Sequence, residues 1–295
     1  MSDSPRRISP ATVFFALLSL ALGVALYVKT RPVAEPPATE PARPARPRPS
    51  ARKPRPTAVP APARAREPSP RASAGNARIA IVIDDLGNDR GALERIAAWR
   101  YAVAGAVLPG LADSAAAARH LARSGKEVLL HLPMEPDGYP GVKPGPGVVL
   151  RSDSDERIAQ IVAEDLESVP GAVGVNNHMG SAATADPRVM RAVVRVLADR
   201  GLFLLDSRTT EASVARRVAE EISLPAVSRR VFLDSVPSAA AIDRSFRELL
   251  ERARKDGTAI AIGHPYPETM AMLERELPKL EEKGVTLVRV KTLLE

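Results

Sequence analysis

From residue 78 onward the chain alternates short apolar segments with longer amphipathic ones, and this alternation restricts it to a few α/β folds. The apolar segments are rich in Val, Ile, Leu and Ala, which is typical of strands buried on both faces of a parallel sheet. Such repeats predict either a closed barrel or a doubly wound sheet. The predicted strands are residues 78–83, 102–108, 127–131, 172–176, 202–205, 230–233, 258–262 and 285–290.

The segments between these strands carry helical patterns. Apolar residues recur at helical spacing in residues 153–169 and again in residues 187–200. Asp186 followed by Pro187 is typical of a helix start, because aspartate caps the free N–H groups and proline needs no partner there. Gly201 is typical of a helix end. The pattern therefore predicts strand–helix repeats from residue 77 to residue 295.

Polar residues stand where the predicted strands end. Both candidate folds place their active sites at the carboxyl ends of the strands, so these side chains are expected to converge. Aspartate and histidine together suit zinc or another divalent transition metal. The residues are Asp84 and Asp85, His131, the run Asn176, Asn177 and His178, then Asp206, Asp234 and His264. The fourth histidine, His120, falls inside a predicted helix at 111–123 and is expected at the surface.

Each of these residues also has a local interpretation. An aspartate that follows a strand often caps the next helix, and this is the alternative for the four aspartates. A histidine at the end of an apolar strand can be a hydrogen-bonded core residue, which is the alternative for His131 and His264. The prediction of a site therefore depends on the convergence of the whole set.

Six segments carry a resemblance to a known family. They are AIVIDDLG (80–87), LLHLPMEP (129–136), GVNNHMGS (174–181), FLLDSRTT (203–210), VFLDS (231–235) and AIGHP (261–265). The chain resembles the divergent polysaccharide deacetylases, a branch of the carbohydrate esterase family 4 deacetylases. The six segments occur in the same order as in that family, and the resemblance extends over nearly all of residues 77–295. The resemblance implies a deformed (β/α)7 barrel that hydrolyses N-acetyl groups on a polysaccharide with a divalent metal, for which zinc is our expectation.

The resemblance also implies roles for individual residues. Asp84 matches the family's catalytic base, and Asp85 matches its first metal ligand. His131 matches the first histidine of a pair of metal ligands. His264 matches the histidine that acts as the acid.

The chain departs from the family pattern at two motifs. The second histidine of the ligand pair is replaced by Glu135, and the motif with arginine and prolines is replaced by a run that ends in His178. We expect His178 to be the third metal ligand, with Glu135 as the alternative. Some residues next to the ligands are expected to orient the ligands and the acid through hydrogen bonds. The candidates are Glu135, Asn176, Asn177, Asp206 and Asp234.

These departures leave two functions open. The first is a metal-dependent deacetylase of a cell-envelope polysaccharide, which several titratable groups at one edge favour. The second is an inactive deacetylase-like module that binds wall glycan or an envelope protein. The altered motifs favour this second function, as does an aromatic content of only 3%.

The N-terminal region is predicted to anchor the protein. Residues 1–10 form a short leading segment, and residues 11–28 are uncharged, long enough at about 27 Å to cross a bilayer core. A cleaved signal peptide is the alternative, but its apolar region is usually shorter, at about 7–15 residues. Residues 29–76 read as a disordered linker, since thirteen of residues 31–76 are proline. The domain at 77–295 is then expected outside the cytoplasmic membrane, on the periplasmic side.

Charge and composition exclude other classes. The net charge of +7 resides in the N-terminal region, because residues 31–76 alone carry ten basic and three acidic residues. The remaining domain is slightly acidic, which argues against nucleic acid as a partner. The chain has no cysteine, so disulfides, thiolate metal ligands and a thiol nucleophile are excluded. The identity of any protein partner is left open by the sequence.

Overall fold

A single parallel sheet flanked by helices carries the repeats in the computed structural model, which describes residues 77–294. The strands in this range are Ala77–Leu86 (β1), Ala104–Val107 (β2), Val128–Met134 (β3), Gly174–Met179 (β4), Phe203–Asp206 (β5), Ala226–Ser228 (β6), Val231–Phe232 (β7), Thr258–Gly263 (β8) and Val285–Leu287 (β9). The α-helices are Arg90–Ala98 (α1), Ser114–Arg123 (α2), Asp155–Ser168 (α3), Pro187–Asp199 (α4), Ala215–Glu221 (α5), Ala239–Asp256 (α6) and Pro267–Glu276 (α7).

The strand order follows the chain around the sheet. It runs β6-β5-β4-β3-β2-β1-β8-β7, with β9 paired to the beginning of β1. Within residues 77–294 no ladder joins β6 to β7, so the sheet curves without closing. The architecture is a parallel α/β half-barrel, which agrees with the deacetylase-type barrel that the resemblance implied and excludes the doubly wound order.

Alternation along each strand separates two layers of apolar residues. In β1, Ile79, Ile81 and Ile83 pack in the large cluster between the sheet and the helices. Ala80 and Val82 point the other way, into a smaller cluster inside the curve of the sheet. Because successive side chains of a strand point to opposite faces, the next inward position of each strand is fixed by counting in twos.

The amino ends of the strands are covered by the end of the chain. Val290 belongs to the inner cluster, and Leu293 packs against it. Glu127, directly before β3, accepts hydrogen bonds from the backbone N–H groups of Val290 and Lys291 at 2.6 and 3.1 Å. This carboxylate caps a short 3₁₀ segment, Val290–Leu293, and holds it across the inner core.

Several predicted strand bounds were wrong. Strands β1, β3 and β4 continue to Leu86, Met134 and Met179, because the polar residues at their ends stay in the ladder instead of leaving it. Strand β6 was missed, since its three residues are too few to give a period. The last predicted strand ends at Leu287, and residue 290 belongs to the 3₁₀ segment.

The helix-start prediction at Asp186 was correct. Its side chain accepts hydrogen bonds from the backbone N–H groups of Arg188 and Val189, and Pro187 occupies the first helical position. None of the helices in residues 77–294 is long and apolar enough to cross a membrane. The predicted anchor at 11–28 and linker at 29–76 lie outside the described residues.

Candidate active site

The alternation of each strand directs one set of polar side chains inward. The inward series in β1 is Ala80, Val82 and then Asp84, and in β8 it is Ile260, Ile262 and then His264. The same alternation in the other strands places five more polar side chains on the inner face. They are His131 in β3, Asn176 and His178 in β4, Ser207 after β5 and Asp234 after β7. The polar site is therefore the next layer above the apolar interior, at the carboxyl ends of the strands.

Asp85 reaches the same site by a break in the alternation. Its backbone has φ of +58°, in the left-handed region, and the pairing of β1 with β2 shifts register between Ile83 and Leu86. Aspartate tolerates this conformation better than most residues, and bulges commonly redirect a side chain next to an active site. Both carboxylates consequently face His131, whose Nε2 lies 3.5 Å from Asp84 Oδ2 and 3.2 Å from Asp85 Oδ1.

Three of the inward side chains form a compact triangle of ligand atoms. Asp85 Oδ1 lies 3.2 Å from His131 Nε2 and 3.0 Å from His178 Nδ1, and the two ring nitrogens are 3.1 Å apart. Two atoms bound to one tetrahedral zinc at about 2.0–2.1 Å lie about 3.3 Å from each other. The separations within the triangle are close to this value.

The chemistry of the triangle fits a cation. Asp85 Oδ1 is buried and has no hydrogen-bond partner among residues 77–294, although both imidazoles adjoin it. A buried polar atom without a partner is costly, and a shared cation would satisfy all three groups together. These three residues could hold a divalent metal and leave positions open for water or substrate, as catalytic sites do.

Asn176 fixes how two of the site residues can act. It is fully buried, its Oδ1 lies 3.0 Å from His131 Nδ1, and its Nδ2 donates to Asp84 Oδ1 at 2.8 Å. An amide oxygen can only accept, so His131 carries its proton on Nδ1 and directs the lone pair of Nε2 into the triangle. The same amide group holds the Asp84 carboxylate beside the triangle.

The two neighbouring aspartates titrate in opposite directions. Burial raises the pKa of Asp84, and the nearby His131 and the hydrogen bond from Asn176 only partly oppose it. Burial also acts on Asp85, but the adjoining imidazoles of His131 and His178 prevail and lower its pKa. Paired carboxyl groups with separated pKa values are typical of sites in which one is a proton acceptor and the other a permanent anion.

His264 faces the triangle from the other side. Its Nε2 is 3.6 Å from Asp85 Oδ2, and its Nδ1 is 3.0 Å from Asp234 Oδ1. Asp234 also accepts hydrogen bonds from the backbone N–H of His264 and from Thr269 Oγ1, so its position is fixed by three donors. Burial would lower the pKa of His264, but Asp234 and then Asp85 raise it.

The other predicted residues lie outside the triangle. By the alternation along β5, the side chain of Asp206 points to the opposite face of the sheet. It accepts hydrogen bonds from the backbone N–H of Arg208 and from Ser213 Oγ, so it stabilises a turn. Glu135 is engaged by Arg151, which donates from both its backbone N–H and Nε. Asn177 accepts from the backbone N–H of Ser207. His120, on α2, pairs with Glu94, away from the site.

Two contributors to the site were missed. Ser207, the inward residue after β5, lies 3.3 Å from Asn176 Nδ2, and counting in twos from Leu205 would have found it. Arg229 donates to the carbonyl oxygens of Ser207 and Arg208, and its guanidinium lies 4.9 Å from the ring centroid of Phe232. It therefore links the segments on both sides of the open seam. Its position in a loop gives no periodic signal.

Backbone strain concentrates around the same edge. In residues 77–294 four residues other than glycine have φ in the left-handed region. Three of them, Asp85, Met179 and Arg208, lie at or just after the carboxyl ends of β1, β4 and β5. Such strain costs about 1–3 kcal/mol per residue and clusters at functional sites.

Comparisons with known proteins agree with this architecture. Residues 81–294 match the sequence profile of a family described as divergent polysaccharide deacetylase. An uncharacterized protein of Haemophilus influenzae is 37% identical over 210 residues, which cover 71% of this chain and 74% of that protein. The uncharacterized protein YibQ of Escherichia coli K12 is 36% identical over 218 residues, covering 74% and 67%.

A solved structure shares the fold. The crystal structure of an uncharacterized protein from Agrobacterium tumefaciens C58 superposes with a TM-score of 0.71 at 27% sequence identity. The superposition covers 74% of this chain and 89% of that one.

Proposed function

Because the chain belongs to the divergent polysaccharide deacetylase family, we propose that it is a metal-dependent hydrolase that removes N-acetyl groups from a cell-envelope polysaccharide. The observation that carries the proposal is the triangle of Asp85, His131 and His178, with Asp84 on one side and His264 on the other. Metal-dependent amide hydrolysis uses such a set, namely a cation site, a base and an acid within reach of one carbonyl group. We propose a deformed (β/α)7 barrel of the deacetylase type as its scaffold.

We assign the ligands to Asp85, His131 and His178 and expect zinc. Nitrogen and oxygen donors at these separations suit it, and His178 is a better third ligand than Glu135, whose carboxylate is already paired with Arg151. When bound, the metal would supply Lewis-acid stabilisation to the attacking water and to the amide oxygen. All other steps fall to side chains of the chain itself.

Asp84 is assigned as the general base. It is almost completely buried, its pKa is raised, and Asn176 holds one of its oxygens so that the other faces the triangle. A carboxylate whose pKa is closer to neutral accepts a proton from water more effectively. It takes the proton as the water oxygen attacks the acetamide carbon.

His264 is assigned as the general acid. Asp234 accepts from Nδ1, so the proton to be donated stands on Nε2, which points at the triangle. The raised pKa keeps that proton available near neutral pH. Transfer to the departing nitrogen releases the amine of the sugar and free acetate.

The experiment is acetate release by the full-length protein from N-acetylated wall glycans. We compare the wild type with Asp84→Asn, which is nearly isosteric and keeps a group that can accept from Asn176. The proposal requires release by the wild type and a loss of roughly 10²–10⁴-fold in the variant. Equal rates in both would exclude the mechanism. No release by the wild type, across several metals and polymers, would favour a glycan- or protein-binding module, the function favoured by the replaced second histidine at Glu135.

We also propose that residues 11–28 anchor the protein in the cytoplasmic membrane with residues 77–295 on the periplasmic side. The support is the uncharged stretch of 18 residues followed by the proline-rich linker. A reporter that is active only outside the cytoplasm, fused to the C-terminus, should be active. An inactive periplasmic reporter together with an active cytoplasmic one would reverse the orientation.

A further inference from the structure

Tyr266 is an exposed aromatic side chain next to His264, the assigned general acid. Its side chain and backbone together are 42% exposed, whereas His264 beside it is only partly exposed. Its ring centroid lies 5.4 Å from that of His264, with 33° between the planes. Phe232 contacts His264 edge-on at 5.3 Å, but that ring is already covered by the guanidinium of Arg229. Of the two rings next to His264, Tyr266 is the more exposed one.

The position of Tyr266 contradicts the local rules for helix starts. It is the residue that caps α7, where Ser, Thr, Asp or Asn would satisfy a free backbone N–H, and its side chain makes no capping bond. The loss of a cap costs about 1 kcal/mol. Pro265 and Pro267 on either side restrict the backbone, and with it the direction in which the Tyr266 side chain leaves the chain. A broken local rule with no gain in stability is typical of a functional position.

We propose that Tyr266 is the platform on which the pyranose ring that carries the acetamido group stacks. This proposal rests on the proposed function, because a sugar whose nitrogen receives a proton from His264 must contact that histidine. The C–H groups on one face of a pyranose form an apolar surface that suits the face of a tyrosine ring. A sugar packed on Tyr266 at a contact distance of about 4–4.5 Å places its ring substituents next to His264.

The platform has a consequence for specificity. Stacking recognises the sugar ring and not the amide, so the site should select N-acetylated pyranosides over small acetamides that lack a ring. The contribution of one stacked aromatic ring, about 1–1.4 kcal/mol, corresponds to about 5–10-fold in affinity.

The experiment separates stacking from simple shielding of His264. Binding of the β-1,4-linked tetramer of N-acetylglucosamine to full-length protein is measured by calorimetry in the Asp84→Asn background, where turnover is suppressed. Tyr266→Phe keeps the flat face and should bind within about twofold of the parent. Tyr266→Leu keeps an apolar shield without a flat face, and Tyr266→Ala removes both. Both should weaken binding by about 5–10-fold.

Each outcome decides the proposal. Parent-like affinity of Tyr266→Leu, or equal affinity of all variants, would overturn it, as would no binding of the tetramer by the parent. If the wild type releases acetate while the Tyr266 variants bind normally, the platform is wrong and the hydrolase stands. If the Tyr266 variants weaken binding but the wild type releases no acetate, the platform stands and the hydrolase is wrong.

Discussion

The two ends of the parallel sheet are built from the same strands and follow opposite rules. At the amino ends, the buried carboxylate of Glu127 accepts from two backbone N–H groups, and Val290 and Leu293 of the 3₁₀ segment cover the core. At the carboxyl ends, a buried oxygen of Asp85 has no hydrogen-bond partner within residues 77–294, and three residues have strained backbones. The difference indicates that the amino ends serve stability, whereas the carboxyl ends carry the candidate site.

The largest expected effect is on turnover at the carboxyl end. His264→Ala removes the acid and should lower acetate release by roughly 10²–10⁴-fold, while the metal is retained because His264 is not one of its ligands. The wild-type rate should also fall as pH rises through the raised pKa of His264, because only the protonated imidazole can donate. Initial rates between pH 5 and pH 10 measure both effects, and an unchanged rate in His264→Ala would remove it from the mechanism.

Asn176 tests whether the orientation of the ligands matters. Asn176→Leu leaves His131 Nδ1 and Asp84 without their shared partner, and metal affinity should fall by about 10–100-fold, the usual effect of losing such a support. Ser207→Ala is the matched control, since it removes only the 3.3 Å contact with the same amide. Competition with a fluorescent chelator measures both affinities. Equal affinities in the two variants would show that Asn176 does not orient the site.

Glu127 tests the opposite end. Glu127→Ala leaves the backbone N–H groups of Val290 and Lys291 without an acceptor, and the free energy of unfolding should fall by about 1–3 kcal/mol. Metal content per folded molecule should not change. Urea titrations and elemental analysis give the two numbers. Loss of metal at unchanged stability would contradict the division between the two ends.

Asp165 is a buried carboxyl group that lies at neither end of the sheet, so it can be compared with both Glu127 and Asp85. It lies on α3, and burial, followed by the neighbouring Glu164, raises its pKa to about 8. Within residues 77–294 no basic side chain contributes to that pKa, whereas two imidazoles lower the pKa of Asp85.

The pH dependence of stability tests this carboxyl. Because the folded pKa lies above the unfolded value of about 3.9, this group lowers stability progressively from about pH 4 to about pH 8. Asp165→Asn removes the contribution of this carboxyl group to the pH dependence of stability. The difference in Tm between variant and wild type should therefore grow by at least about 3 °C between pH 4 and pH 8. A difference that is constant with pH would contradict the assignment.

The sequence predicts the inward polar residues better than it predicts their interactions. The repeats of apolar strands locate Asp84, His131 and His264 because the chemistry follows directly on buried strands. Alternation in twos also distinguishes Asp234, which points inward, from Asp206, which does not, although both stand where a strand ends and in the same Leu-Asp-Ser pattern.

Other features of the site have no periodic signal. The left-handed backbone of Asp85 turns its side chain to the inner face of the sheet, whereas the alternation along β1 would place it on the outer face. Whether His178 or Glu135 completes the triangle depends on Arg151, which comes from a distant loop and takes up the Glu135 carboxylate. Tertiary contacts of this kind decide the ligand set, and local patterns do not encode them.

The most direct test of the metal site is the metal content of four full-length proteins after exhaustive dialysis. The wild type and His120→Ala should each hold one divalent metal ion per chain, since His120 lies on α2 away from the triangle. His131→Ala and His178→Ala should each lose it, because two remaining ligands do not retain zinc against dialysis. Equal metal content in all four proteins, or none in the wild type after growth with added zinc, would contradict the account.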